Sequence, residues 1–346
     1  MDREKTLAFI DQFTTMAAGA TTIGLLAVAD RTGLLSSMVR KPPRPSDVIA
    51  DDAGMDRRYA LEILSGLVAA SIIDYSPAEA TFSLSDEHAA VIGDDTSPYS
   101  MTGWLDMLPA ALDHTDDIAE AAMDGGGVPF SAFGERMVTG IDRASSPSMT
   151  ILLTRRWLPT MPDVVERLKA GGRIADVGCG SGSAANAMAR AYPNASVVGF
   201  DIDERSIERA VNSATEPNAS FVVGGAEAMA GGGPFDLVTL FDVVHDLSDP
   251  LSVLKEIRRS MSDTGVLLMM EPRIAADLQD NINDRAALLY GISTFLCMTQ
   301  SLAGAGAGLG AAWGPAAARE LCHAAGFMSF EELPIENPFS AFFRVQ

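Results

Sequence analysis

The segment Asp176-Val-Gly178-Cys-Gly180-Ser-Gly182 is a glycine-rich turn opened by an acid. It follows an apolar run and opens a helix-like segment from Ser183 to Ala191. Glycines at such a turn let the backbone approach a ligand closely, and the amides of the helix start point at the same place. The chemistry implied is binding of something nucleotide-like. A dinucleotide fingerprint would read G-x-G-x-x-G, but here the third glycine comes one position early. Nineteen residues past Gly182, Asp201 closes the run Val198-Gly-Phe-Asp201. A carboxylate there can accept hydrogen bonds from both hydroxyls of a ribose.

Spacing alone suits either NAD or S-adenosylmethionine, since both contain an adenosine. The opening acid separates them. A carboxylate at Asp176 attracts the ammonium and sulfonium of S-adenosylmethionine and would repel a pyrophosphate.

These residues need a scaffold, and the chain has 346 of them, enough for about two domains. Hydrophobic residues make up 47% and charged residues 21%, ordinary usage for a globular protein and not for a disordered one. Lys and Arg number 25 against 46 Asp and Glu, a net charge of −21 that repels nucleic acid and anionic lipid. The three cysteines, Cys179, Cys297 and Cys322, form no CxxC pair, and no histidine pair stands at i, i+4. Metal independence and a cytoplasmic location are the expectations. The longest apolar run, Met16 to Ala29, falls short of a membrane span and reads as a buried helix.

From Lys5 to about Ser37 the pattern predicts two helices, the second (Ala20 to Asp30) apolar on nearly every side. A proline run at 41–45 stops them. A short helix to Gly54, a longer one from Arg57 to Ala70 capped by Asp56, and alternating runs at 72–75 and 81–84 then spell a winged helix. Its second helix carries Arg57 and Arg58, but Asp51, Asp52, Asp56 and Glu62 surround them, so dimerisation is the better reading than DNA binding. Residues 98–170 are helical with a break at Gly125–Pro129, and from Arg173 seven β runs alternate with helices. The last two runs are joined too briefly for a crossover and should pair antiparallel.

The D-V-G-C-G-S-G turn, the G-F-D-I-D strand end, the strand Phe235–Asp242 and the closing hairpin resemble class I S-adenosylmethionine-dependent methyltransferases. With the helical, winged N-terminal part, the whole chain resembles their two-domain small-molecule branch. The resemblance implies an α/β fold with a Rossmann-like seven-stranded sheet and a mostly helical winged-helix-like domain. The expected division is 1–97 for dimerisation, 98–155 as a helical bridge lining the pocket, and 156–346 for the Rossmann-like domain. Homodimerisation would run through the N-terminal domain.

By the same resemblance, Asp176 and the backbone of Gly178, Gly180 and Gly182 hold the methionine end of S-adenosylmethionine. Asp201 holds the ribose and Ile202 covers an adenine face. The family's acid for the adenine edge is Gly225 here, leaving Ala226 amides or the Glu227 side chain to replace it. Phe241 and Asp242 end the fourth strand below the methionine moiety. His245, in Val244-His245-Asp246-Leu-Ser-Asp249-Pro250, stands where relatives place a general base. Imidazole, with a pKa of about 6.5, can take a proton from an attacking hydroxyl or amine. Asp246 would orient it or cap the helix near Pro250. His88, His114 and His323 read as structural.

Substrate contacts are expected from Trp104, Glu271, Tyr290, Met298 and Trp313, lining a pocket for a small apolar or aromatic acceptor. The Ala/Gly run 303–312 is either a lid or a tightly packed turn. The activity implied is methyl transfer to O, N or C. The alternative is a protein that keeps the same cofactor but catalyses something else, a pericyclase or hydroxylase on this scaffold.

Overall fold

A computed structural model describes all residues, Met1–Gln346. The chain divides into two compact units: Met1–Pro109 with Thr139–Pro147, and Ala110–Val138 with Ser148–Gln346. Residues 98–155 are divided between the two units. Glycines explain part of this division. Gly103 and Gly140 lie so close that a Cβ on Gly103 would come within 2.2 Å of the Gly140 carbonyl, which ties 139–147 to the first unit. Gly127 packs equally tightly on Thr299 within the second.

In the first unit the two helices expected between Lys5 and Ser37 are one long helix, α1 (Arg3–Arg31), followed by a short α2 (Leu34–Met38). Asp2 caps α1 through the amides of Glu4 and Lys5, and nothing in the Ala-rich middle breaks it. Helices α3 (Ser46–Ala53) and α4 (Arg57–Ala69) follow, the latter capped by Asp56, and then the hairpin β1 (Asp74–Ser76) and β2 (Thr81–Ser83). Leu26, Ala29, Leu34, Ile49, Leu64 and Phe82 join in one core. The expectation of a buried helix over Met16–Ala29 holds at its C-terminal end, where Leu26, Ala27 and Ala29 are buried, and is corrected at Met16 and Val28, which are 52% and 46% exposed; Leu7, Phe9, Ile10 and Phe13, ahead of that run, are each at least half exposed. Only the C-terminal end of α1 has core to pack on. By length and composition alone, α1 and the stretch Asp284–Ala303 are each apolar enough to cross a membrane, although 44% of the latter's apolar window is buried.

The second unit is built on seven strands in the order β5-β4-β3-β6-β7-β9-β8: β3 (Arg173–Val177), β4 (Ser196–Asp201), β5 (Ala219–Val223), β6 (Phe235–Phe241), β7 (Met261–Pro272), β8 (Phe330–Glu332) and β9 (Ser340–Val345). The first five are parallel, and β9 runs antiparallel between β7 and β8. Alternate residues serve opposite faces, as a sheet covered on both sides requires. Leu268 and Met270 enter one core with Trp157 and Phe342, while Leu267 and Met269 enter the other with Phe327 and Phe343. Strand order reverses between β3 and β6, and the crevice at their carboxyl ends is where such sheets bind ligands.

Candidate active site

The turn after β3 adopts the backbone that only glycine takes without strain: φ is +72° at Gly178, +54° at Gly180 and +81° at Gly182. A Cβ at Gly178 would strike Val243 at 2.4 Å. The turn is pinned by Asp201 at the end of β4, whose Oδ2 accepts the Gly180 amide at 2.8 Å and whose Oδ1 accepts the Asp203 amide at 2.9 Å. Burial pushes the Asp201 carboxyl above its ordinary range despite these bonds.

Asp176, the last but one residue of β3, is 1% exposed. Its Oδ1 accepts from the Thr239 hydroxyl at 2.6 Å, and its Oδ2 is buried without a hydrogen-bond partner. Burial raises this carboxyl from 3.8 to about 7, the Thr239 bond opposing the rise. A buried carboxylate oxygen with no donor is costly unless a ligand supplies one. Ile202 is 81% exposed beside β4. Ala226 is buried, and Glu227 turns back so that its Oε1 accepts the Gly225 amide at 2.7 Å.

Strand β6 ends at Phe241, whose ring lies 6.4 Å from that of Trp157. Asp242 follows with φ +56°, a left-handed conformation that Asp tolerates, and redirects the chain into the single turn Val244–Asp246. His245 on that turn is 3% exposed. Its Nδ1 lies 2.7 Å from Oε2 of Glu271, the penultimate residue of β7, and its Nε2 lies 3.4 Å from Oδ1 of Asp246. Burial by itself would lower the His245 pKa, but the carboxylates of Asp246 and Glu271 outweigh it and hold the ring well above its ordinary value.

Glu271, expected to meet an acceptor, has both oxygens engaged inside the protein. Oε1 accepts the Val244 amide at 3.0 Å, and Oε2 accepts Trp313 Nε1 at 2.9 Å beside the histidine. One carboxylate therefore fixes a turn, an imidazole and an indole. Asp246 does not cap the helix at Pro250; Asp249 does, through the Ser252 amide at 3.0 Å.

Two further π-helical segments, Leu153–Trp157 and Ser293–Cys297, interrupt longer helices in this unit. The second carries Cys297 to within 4.8 Å of the His245 and Asp246 ligand atoms, a neighbour the sequence reading missed. Nothing in the 50 residues between Asp246 and Cys297 signals the approach.

Tyr290 lies 38% exposed on the helix Asp284–Ile292, its hydroxyl 3.5 Å from Asn281 Nδ2, and Met298 is half-buried. Trp104 belongs to the other unit. The run 303–312 is a packed turn: Ala307 donates to the Ser248 carbonyl at 3.0 Å and Gly310 to the His245 carbonyl at 3.2 Å. A Cβ at Gly306 would lie 2.4 Å from Ser248 Cα. The remaining histidines are held locally, His88 on the Ile72 carbonyl at 2.7 Å, His114 on Asp117 at 2.6 Å and His323 on the Phe327 carbonyl at 3.0 Å.

Two stretches of the chain match known domain families. Residues 168–319 match the methyltransferase domain family, and residues 19–93 match the Rv2258c-like winged HTH domain. A ubiquinone biosynthesis O-methyltransferase of Paracidovorax citrulli is 36% identical over 100 residues, 28% of this chain and 41% of that protein. One from Thiobacillus denitrificans is 32% identical over 117 residues, 33% of this chain and 47% of its own length. The chain thus spans less than half the length of these curated relatives. The structure of human N-acetylserotonin methyltransferase in complex with SAM superposes with a TM-score of 0.68 at 20% identity, covering 99% of this chain and 98% of that one. CalO1, a methyltransferase of calicheamicin biosynthesis solved with SAH bound, gives 0.68 at 20%, covering 99% of both chains. These likenesses establish the fold of two-domain methyltransferases along essentially the whole chain.

Proposed function

We propose that the protein is a small-molecule methyltransferase that uses S-adenosylmethionine. The observation that carries this reading is Asp176, whose buried Oδ2 lacks a donor beside a glycine turn open to a ligand backbone. A cation with N–H donors satisfies it, and a pyrophosphate does not. Asp201 and the exposed Ile202 supply a ribose acceptor and an apolar cover for adenine in the same crevice, and Asp242 and the Phe241 strand end close its floor. Glu227, curled onto Gly225, offers adenine its second oxygen, with the Ala226 backbone beside it.

When bound, S-adenosylmethionine supplies an electrophilic methyl group. Most of the acceleration then comes from holding the acceptor atom about 3 Å from that methyl, in line. His245 takes the proton that an attacking hydroxyl or amine gives up. Glu271 fixes its Nδ1, so Nε2 faces Asp246, whose side chain is 31% exposed. A cation in the crevice makes the ring easier to deprotonate, readying it as a base. Tyr290, Met298 and Trp313 favour an apolar or aromatic acceptor.

The exposed apolar stripe of α1, with Phe9, Phe13 and Met16 at i, i+4 and i+7, supports a homodimer through the first unit. In that unit Arg57 pairs with Asp51 at 2.7 Å and Arg58 with Glu62, which favours dimerisation over DNA binding by the winged helix. The free cysteines and acidic charge suit a cytoplasmic enzyme acting on a metabolite of secondary metabolism.

The test is incubation with methyl-labelled S-adenosylmethionine and a metabolite extract. A labelled product with equal S-adenosylhomocysteine is expected. Turnover without consumption of the cofactor would move the protein to the pericyclase or hydroxylase class, and failure to bind the cofactor in calorimetry would overturn the reading.

A further inference from the structure

We propose that His245, Asp246 and Cys297 form a binding site for one thiophilic divalent cation, zinc being the fitting member, and that occupation of this site stops turnover. The second half rests on the methyltransferase reading; the first does not.

Three donor atoms of different chemistry converge from two elements, the turn Val244–Asp246 and the π-helical segment Ser293–Cys297, and lie within 4.8 Å of one another. The His245 Nε2 to Asp246 Oδ1 separation is 3.4 Å. Two ligands each about 2.05 Å from a zinc ion and set at the tetrahedral angle stand about 3.3 Å apart, so this edge of the site is already at its liganded length. Oδ1 of Asp246 is buried and makes no hydrogen bond of ordinary geometry, its contact being the His245 ring nitrogen at 3.4 Å, so it can turn to a metal without breaking a hydrogen bond.

The surroundings point the same way. Glu271 holds Nδ1 of His245 at 2.7 Å, the carboxylate–histidine arrangement that aims the opposite nitrogen at a metal and raises its basicity. The π segment inserts an extra residue into a helical turn, a device common at functional sites, and here it brings Cys297 into the cluster. An imidazole, a thiolate and one carboxylate suit zinc, whereas magnesium and calcium prefer all-oxygen sites. Three protein ligands leave a fourth position for water on the part-exposed Asp246 side. Binding displaces two protons to solvent, one from the Cys297 thiol and one from the imidazolium Nε2 of His245. It also occupies the lone pair of Nε2, and an imidazole so capped cannot accept a proton from an acceptor. Methyl transfer itself needs no metal, and the ion acts as an inhibitor.

The experiment is titration of the metal-free protein with cobalt(II), following the thiolate-to-cobalt charge-transfer absorption, then displacement by zinc. One ion per chain is expected, with the band present in Cys179→Ser and Cys322→Ser and absent in Cys297→Ser. Glu271→Gln should weaken the site by about 10–100-fold. In turnover assays, stoichiometric zinc should suppress the wild-type protein, a chelator should restore it, and Cys297→Ser should be insensitive to the same addition. No thiolate band at stoichiometric cobalt, or a band that survives Cys297→Ser, overturns the site. A band without loss of turnover overturns the inhibitory role. Because the cobalt spectrum is read without turnover, absence of methyl transfer in metal-free protein would count against the proposed activity and not against the site.

Discussion

Oε2 of Glu271 lies 2.7 Å from Nδ1 of His245 while also accepting the Trp313 indole N–H at 2.9 Å. The end of the fifth parallel strand thereby sets the orientation of an imidazole carried by the turn after the fourth. Glu271→Gln keeps the shape and removes the charge. The expected result is unchanged cofactor affinity, kcat lowered at least about tenfold, and the base limb of the pH–rate profile moved to lower pH, since a carboxylate that raised the His245 pKa is gone. Titrating kcat against pH checks it; a limb that stays in place would assign Glu271 to packing alone.

Removing the imidazole itself separates chemistry from binding. His245→Ala should bind S-adenosylmethionine as the wild type does and turn over about 10²–10⁴-fold more slowly. Calorimetry and initial rates measure the two arms, and unchanged turnover would mean that the acceptor ionises unaided.

Asp201→Ala takes away two backbone bonds at once, those to the Gly180 and Asp203 amides. The glycine turn loses its anchor as well as a ribose acceptor. Weaker cofactor binding together with a lower melting temperature is expected. Intact binding in calorimetry would remove Asp201 from the site.

Asp176 gives a pH dependence whose sign can be worked out. Its folded pKa, about 7, lies above the ordinary 3.8 because of burial, so the folded chain holds a proton there that the unfolded chain has released. The cofactor-free protein therefore loses stability as pH rises from about 4 to about 7, by several kcal/mol at most. A cation prefers the ionised form, so cofactor affinity should rise over pH 6 to 8 with release of a proton, as calorimetry in buffers of different ionisation enthalpy would read. Asp176→Asn should flatten both trends; a stability profile that keeps its slope in that variant would place the titration elsewhere.

The exposed stripe on α1 predicts the assembly state. Replacing Phe9 and Phe13, which are 59% and 60% exposed, by Glu should convert a dimer to a folded monomer in sedimentation velocity. A variant that still sediments as a dimer would put the interface elsewhere.

The sheet was readable because its signals are local. Phe235–Phe241 and Arg173–Val177 are short, largely apolar runs, the first flanked by Pro234 and Asp242 and the second by Gly172 and Gly178, and both strands have the bounds their patterns indicate. The antiparallel closing hairpin followed from loop length alone. The run Met16–Ala29 was misjudged at its start because a hydrophobic pattern does not say where the core ends: Met16 and Leu26 are both apolar, yet one is 52% and the other 5% exposed. At the site, Asp176 and Gly178–Gly182 were legible as a contiguous motif, whereas the neighbours of His245 were not. Glu271, Cys297 and Trp313 reach it from three separate elements, and only tertiary packing sets those distances.

The segment from Ala303 to Ala312 has the composition of filler, but its amides grip the carbonyls of His245 and Ser248, and side chains at Gly304, Gly306, Gly308 or Gly310 would collide with neighbours. Its monotony is a spatial requirement. Part-exposed positions such as Tyr290 can vary in a descendant of this protein, while the plainest stretch of its sequence is among those with the least freedom to drift.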